Sequence, residues 1–409
     1  MKLLPCLLAG AIGAITSSYI YAADVPATVP YYKYMQTLVA STECGEQNYL
    51  MVPILLRLSE TDLLVGYKRG YAHYSEIDPT GDRQAGFELM RIDPVSERID
   101  PVKVNLHKTD LIFQDGEFVR FPNGDIALYI DVWGKGNDAL NYGFARQGLL
   151  EYRSSDGGKT FHEVGKLGLI DGVEYGYAFE GITNGSTNWM LAMRFSNLPG
   201  GNVVDQRWPH AGSVDVIRSN DNGRTWHFVK NLSSEFGNTP INESSFMLYG
   251  DGFIVATRGY SNHQWLQVTD RDFNMKRQVD LTATYSFINS YVGRPRIFAR
   301  DGGCYLLGRN WTEPGVMASS LGHNQPAQRN PGNNPMKLSL FRFDPATLAV
   351  TKHVILDNTE GENVLDGYYA VPYWQEQRGR MYLNVITYKR MHNRRPDIIR
   401  LEFDWNEVR

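Results

Sequence analysis

The chain has 409 residues, 12% of them aromatic, with 39 Gly and 19 Pro, so it is rich in strand-packing and turn-forming residues and poor in the excess of helix formers that marks helical proteins. A formal net charge of −4, with no block of like charges and no basic patch, excludes the electrostatic footprint of a nucleic-acid binder. No linker divides two compositions, and one domain over residues 24–409 is expected.

Met1-Lys2 is followed by an apolar and small-residue run, Leu3 to Ile15, that ends near Ala22-Ala23. This is the pattern of a secretory signal peptide over residues 1–23. The run is too short for a membrane span, and nothing later approaches about 18 consecutive apolar residues. Export to a secreted or periplasmic location without a membrane anchor is the expectation. Cys6 falls in the leader, which leaves Cys44 and Cys304 for the mature chain. They sit in the first and fifth of the repeats described next, so two buried free thiols are expected, with pairing left open.

A short turn followed by five to seven mostly apolar, β-prone residues recurs six times: Asp62–Tyr67, Asn123–Ile130, Gly185–Met193, Asp251–Thr257, Asp301–Gly308 and Arg378–Ile386. Most follow another short strand, which makes each a hairpin. No segment beyond the N-terminus sustains a 3.6-residue period. The reading is an all-β, six-bladed β-propeller. Leu338–Val354 is open to two assignments, the outer strands of the fifth blade or part of a seventh.

Two turns punctuate the middle of the chain, Ser154-Ser155-Asp156-Gly157-Gly158-Lys159-Thr160-Phe161 and Ser219-Asn220-Asp221-Asn222-Gly223-Arg224-Thr225-Trp226. Both read S-x-D-x-G-x-T-[F/W]: Asp ties up backbone donors, Gly stands where a side chain would clash, and an aromatic anchors the hairpin. The pattern resembles the Asp-box of sialidase-superfamily propellers. That resemblance speaks to the fold and not to the chemistry, because Asp-boxes maintain the fold and lie far from the active mouth. The segment from Glu243 through Asp251-Gly252 to Arg258 is similar to the family's glutamate, D-G turn and arginine. The resemblance assigns Glu243 to polarise a nucleophilic tyrosine and Arg258 to grip a substrate carboxylate, roles that suit a carboxylate base and a planar guanidinium. The family's tyrosine lies in the last blade, where Tyr369 is the positional match and Tyr368 the second choice. Arg294 and Arg296, two apart on a strand, point the same way and can join Arg258 in an anion-binding cluster, as can Arg309.

The first repeat departs from the family. Its R-I-P tripeptide is replaced by Met51-Val52-Pro53, so the arginine central to carboxylate binding is missing. Arg69, 18 residues beyond Met51, matches the second arginine of the family's first blade. His73 stands near the place of the catalytic aspartate and can transfer a proton in its stead.

Tyr177, Arg194, His210, Tyr260 and His263 make a second set, of the kind a uronate lyase needs: arginine to acidify the C5 proton, His or Tyr to move it. Ulvan lyases are propeller proteins that work in this way. The Gly-, Pro- and Asn-rich stretch Thr312–Met336, with His323, reads as a loop over the channel mouth. No zinc spacing, phosphate loop or G-x-S-x-G elbow is present, so no metal or cofactor is expected. The leading expectation is a sialidase-like glycoside hydrolase acting, as a monomer, on an acidic oligo- or polysaccharide. The alternatives are a uronic-acid polysaccharide lyase and a non-catalytic glycan-binding propeller.

Overall fold

The computed structural model describes residues 25–71, 85–109, 111–135, 144–195, 213–259, 263–311, 336–357, 369–391 and 395–409. The expected leader lies outside these residues, as do His73, His210, Tyr260, His323 and Tyr368.

Two short strands, β1 (Ala27–Thr28) and β2 (Tyr34–Val39), precede a succession of antiparallel meanders. The first runs β3 (Tyr49–Ser59), β4 (Asp62–Gly70), β5 (Ala85–Asp93), β6 (Arg98–Pro101), and the second β7 (Ile112–Arg120), β8 (Ile126–Lys135), β9 (Phe144–Ser154), β10 (His162–Lys166). Next come β11 (Glu174–Asn184), β12 (Thr187–Phe195), β13 (Val214–Ser219), β14 (His227–Asn231), then β15 (Ile241–Tyr249), β16 (Gly252–Gly259), β17 (Gln264–Thr269), β18 (Met275–Asp280). β19 (Gly293–Arg300), β20 (Gly303–Trp311), β21 (Met336–Phe343) and β22 (Val350–Ile355) take β1 as a fifth, parallel strand. β23 (Val371–Gln377), β24 (Arg380–Lys389) and β25 (Asp397–Asp404) are completed by β2.

The arrangement is that of an all-β propeller, but the expectation of six or seven separate blades is corrected. Among the described residues the strands form five sheets. Four of them are single blades, and the fifth is an eight-stranded sheet joining β3–β6 to β7–β10. The join is one parallel pair, Ala85 with Ile112. Its cause is local: the connection after β6 returns along β5, where the Val102 N–H donates to Leu89 O at 2.9 Å and the Phe87 N–H to Leu106 O at 3.0 Å, and so delivers the start of β7 beside Ala85. Leu338–Val354 belongs to β21 and β22, the outer strands of the β19 sheet.

Each of the six expected hairpins is the link between the first and second strands of a meander. Second strands are covered on both faces by neighbouring sheets and therefore read as continuous apolar runs rather than alternating ones. β16 is buried along its whole length, whereas the outermost strand of the same sheet, β18, is largely exposed.

The turn after the third strand is held by an aspartate. Asp156 accepts from the Lys159 and Thr160 N–H groups, both at 3.0 Å, and the Ser154 hydroxyl accepts from the Gly158 N–H at 2.8 Å. Asp221 accepts from the Thr225 N–H at 2.9 Å in the same way, and Phe161 and Trp226 are buried beneath their turns. Asp93, Asp270 and Asp344 do this at the matching place, accepting from the N–H groups of Val95, Asn274 and Ala346 at 2.9, 2.9 and 2.8 Å, although none carries the full sequence pattern. Cys44 and Cys304 are both buried and free. No helix among the described residues is long and apolar enough to cross a membrane.

Candidate active site

The first strands of the meanders, β3, β7, β11, β15, β19 and β23, pack against one another and supply the site. Five of them, β3, β7, β11, β15 and β19, carry a β-bulge near the start. An extra residue in one strand re-aims the side chains beside it. The bulges fall at Val52-Pro53, Gln114-Asp115, Gly176, Asn242-Glu243 and Arg294-Pro295, so Glu243 and Arg294 owe their direction to them. Val52 and Arg294 both take positive φ, 52° and 44°, and each is followed by proline.

Glu243, Arg258 and Tyr369 meet. The Tyr369 hydroxyl donates to Glu243 Oε1, and Arg258 Nη1 donates to Glu243 Oε2. Arg258 Nη1 also lies 3.4 Å from Tyr369 Oη, and its guanidinium sits 3.7 Å from the centroid of the Tyr291 ring. Arg309, on β20, donates to Tyr291 Oη at 3.3 Å and stands 5.4 Å from the Tyr369 ring centroid. It lies flat against β19 because residue 293 is glycine: a Cβ there would come within 2.8 Å of Arg309 Nε. Thr387 donates to the Tyr369 carbonyl at 3.0 Å and fixes the entry into β23. All these side chains are less than a tenth exposed. A phenol held against a carboxylate in a dry setting has a base for its proton, and two guanidinia beside it favour an anion.

A second group abuts the first. Arg294 and Arg296 share one acid, Glu117 Oε2, at 3.1 and 2.8 Å. Arg294 also donates to Tyr177 Oη at 2.6 Å and to Gly116 O at 3.2 Å. Arg146 lies over the Tyr177 and Trp133 rings and pairs with Asp131 at 3.3 Å. Further along the same strands, Glu180 accepts from the Ser245 hydroxyl and from the Phe246 N–H and stands 3.7 Å from Arg296. Burial pushes its carboxyl up to about 7, against the opposing pull of Arg296. For Arg294, burial works to lower the pKa, but Tyr177, Glu117, Asp115 and Tyr369 together outweigh it and the group is held more firmly charged.

The remaining residues stand elsewhere. Arg69 turns away and bonds Cys44 O at 2.8 Å and Gln47 O at 3.2 Å, with Glu88 at 3.4 Å. Its neighbour Lys68 faces inward, fully buried directly opposite Met51, and donates to Gln114 Oε1 at 2.7 Å. Counting 18 residues from Met51 overshot by one, and in a strand one residue changes the face. Arg194 is paired with Asp215 at 2.9 Å, an acid it shares with the Tyr175 hydroxyl. His263 bonds Asp280 at 2.6 Å and stacks on Trp265; the Asp280 hydrogen bond raises its pKa. Tyr177, Arg194 and His263 thus have three separate partners, and His210 and Tyr260 of the same set lie outside the described residues. Lys68, Glu117, Arg146 and Tyr291 were not anticipated. Of these only Lys68 has a traceable signal, a basic residue within two positions of the end of the second strand, as also in Arg194, Arg258, Arg309 and Lys389. Among the described residues no cluster of His, Cys, Asp and Glu is placed to hold a metal ion.

No family model matches the chain, and no curated protein matches its sequence. Similar architectures do occur among solved structures. A protein of unknown function from Dyadobacter fermentans matches with a TM-score of 0.62 at 11% identity, over 92% of this chain and 99% of the other. The NanB sialidase of Streptococcus pneumoniae, as its K499G mutant, matches with a TM-score of 0.57 at 11% identity, over 94% of this chain and 72% of the other. Trypanosoma rangeli sialidase, solved with 2,3-difluorosialic acid as a covalent intermediate, matches with a TM-score of 0.53 at 11% identity; 95% of this chain and 59% of that one are covered. The chain has the fold of the sialidase-like β-propellers.

Proposed function

We propose that the protein is a carbohydrate-active enzyme, a sialidase-like glycoside hydrolase acting on an acidic glycan. The contact of the Tyr369 hydroxyl with Glu243, whose other oxygen is held by Arg258, carries the reading. Glu243 takes the phenolic proton, and Tyr369 Oη forms a bond to the anomeric carbon as the bond to the leaving oxygen breaks. His73 supplies the proton to that oxygen. Water, giving a proton to His73, then attacks the anomeric carbon as the tyrosyl–sugar bond breaks; Glu243 returns its proton to the phenolate, and a sugar with retained anomeric configuration is released. Arg258 and Arg309 grip the acid group of the substrate as it binds. Met51 offers no third guanidinium, so ordinary sialosides are poor substrates and a different acidic sugar is preferred. The covalent intermediate in the Trypanosoma rangeli sialidase structure supports the two-step route. We place the protein outside the cytoplasm on the strength of the leader-like pattern of residues 1–23.

The test is a panel of acidic and neutral fluorogenic glycosides, with product configuration read by NMR. Hydrolysis of an acidic member with retention, lost in Tyr369→Phe, is expected. Turnover that survives Tyr369→Phe, or absorbance rising near 235 nm on a uronic-acid polymer, sinks the reading; the latter marks elimination.

A further inference from the structure

We propose that Tyr177 is the specificity-determining hydrogen-bond donor of this site, and that Arg294 is the positioning residue that aims it. The proposal rests on the hydrolase reading above and extends it to how a sugar oxygen is chosen.

The site contains two buried phenols with opposite partners. Tyr369 faces a carboxylate and has a base for its proton. Tyr177 faces a guanidinium: Arg294 Nη1 donates to its oxygen at 2.6 Å, and this is the one hydrogen bond its side chain makes among the described residues. A guanidinium has no acceptor, so Tyr177 can only accept there, and its own proton is left over. Burial, partly offset by Arg294, keeps that proton in place, with the pKa well above 10. Tyr177 is therefore a donor at any ordinary pH, not an acid or base. A buried hydroxyl proton without an acceptor is costly, and a ligand oxygen relieves that cost.

Arg294 is built to hold still. It takes φ 44°, a left-handed conformation unfavourable for a side-chain-bearing residue, inside the bulge that opens β19. Glu117 and Gly116 O fix one end of its guanidinium at 3.1 and 3.2 Å. The level of Tyr177 follows from neighbouring contacts. Tyr177–Arg294 and Phe179–Arg296 step by two residues on both strands, so β11 and β19 run the same way. Glu180 meets Ser245 one layer down, and moving two or three residues toward the strand starts brings Tyr177 level with Glu243. Tyr177 is as deeply buried as Glu243 and Tyr369, and Arg294, which bonds Tyr177, also lies within electrostatic reach of Tyr369. The fitting ligand group is an oxygen of the bound acidic sugar on the side turned away from Arg258 and Arg309.

The experiment uses the full chain, an acidic glycoside it hydrolyses, and analogues lacking one hydroxyl each or with the acid reduced to an alcohol. In the parent, one analogue should lose roughly 10- to 100-fold in kcat/KM, the scale at which a site built to bond a hydroxyl rejects a substrate lacking it. Tyr177→Phe should lose a similar factor on the complete substrate, mainly through KM, yet lose nothing further on that one analogue. Arg294→Lys, which keeps the charge but not the fork, should show a weaker form of the same selectivity. Equal loss on every analogue, or no loss in Tyr177→Phe at an unchanged melting temperature, overturns the assignment. Full turnover by Tyr369→Phe overturns the hydrolase reading instead, so the two failures are distinguishable.

Discussion

Replacing Glu180 with Gln should stabilise the protein above neutral pH and leave it nearly unchanged in acid. The native carboxyl is raised from 4.5 to about 7, chiefly by burial. It therefore keeps its proton over a range in which the unfolded chain has already lost it. Between about pH 4.5 and 7 the native state binds more protons than the unfolded state, so stability falls as pH rises, and the full penalty is present above 7. At about 1.4 kcal/mol per pH unit the penalty comes to roughly 3 kcal/mol, for a side chain that is one-fifth exposed. Glutamine retains an acceptor for the Ser245 hydroxyl and the Phe246 N–H, so the loss of charge is the main change. Urea unfolding of parent and Glu180→Gln from pH 4.5 to 8.5 measures the difference directly, and groups common to both proteins cancel. A Glu180→Gln variant less stable than the parent at pH 8, or a difference that does not change with pH, would refute the reasoning.

Asp156→Ala or Asp221→Ala should each cost about 1 to 2 kcal/mol, the scale for stranding backbone donors, with no change in substrate preference; a loss of turnover at unchanged melting temperature contradicts this. Asp270→Ala should behave alike, since its turn has the same bonds without the full motif. Arg258→Ala should lower kcat/KM by one to two orders of magnitude, as expected for a charge-assisted contact of about 1.5 to 3 kcal/mol. Gly293→Ala puts a methyl where Arg309 lies and should raise KM for an acidic substrate; unchanged KM would show that Arg309 does not grip the acid group.

What could be read in the sequence was whatever repeats. The turn-plus-apolar-run signal located all six first hairpins because each second strand is buried between sheets and is mostly apolar over its first half. The aspartate turns were half visible: Asp156 and Asp221 keep a serine two residues before and a glycine two after, whereas Asp270 accepts from the N–H four residues on, and Asp93 and Asp344 from the N–H two residues on, with other neighbours. The resemblance to a family names Glu243, Arg258 and Tyr369 one by one, and the structure brings the three into contact. Arg69 was misplaced because spacing along a strand does not say which face a residue takes. Glu117, Tyr177 and Arg294 met unannounced, since their contact depends on bulges in three strands, and a bulge leaves no periodic trace in a sequence.

Pairing β2 with β25 sets Tyr34 opposite Glu402, and the Ser41 N–H donates to Asp397 at 2.7 Å, a bond spanning 356 positions. Contacts this far apart impose a large loop-closure cost, and the prediction is that they form after the intervening meanders have collapsed. Until β2 docks, β25 presents an unpaired edge, the kind of template on which strands are exchanged between molecules. Shortening the chain to begin after Val39 would make that transient edge permanent, and the expected result on size-exclusion chromatography is association of copies through β25.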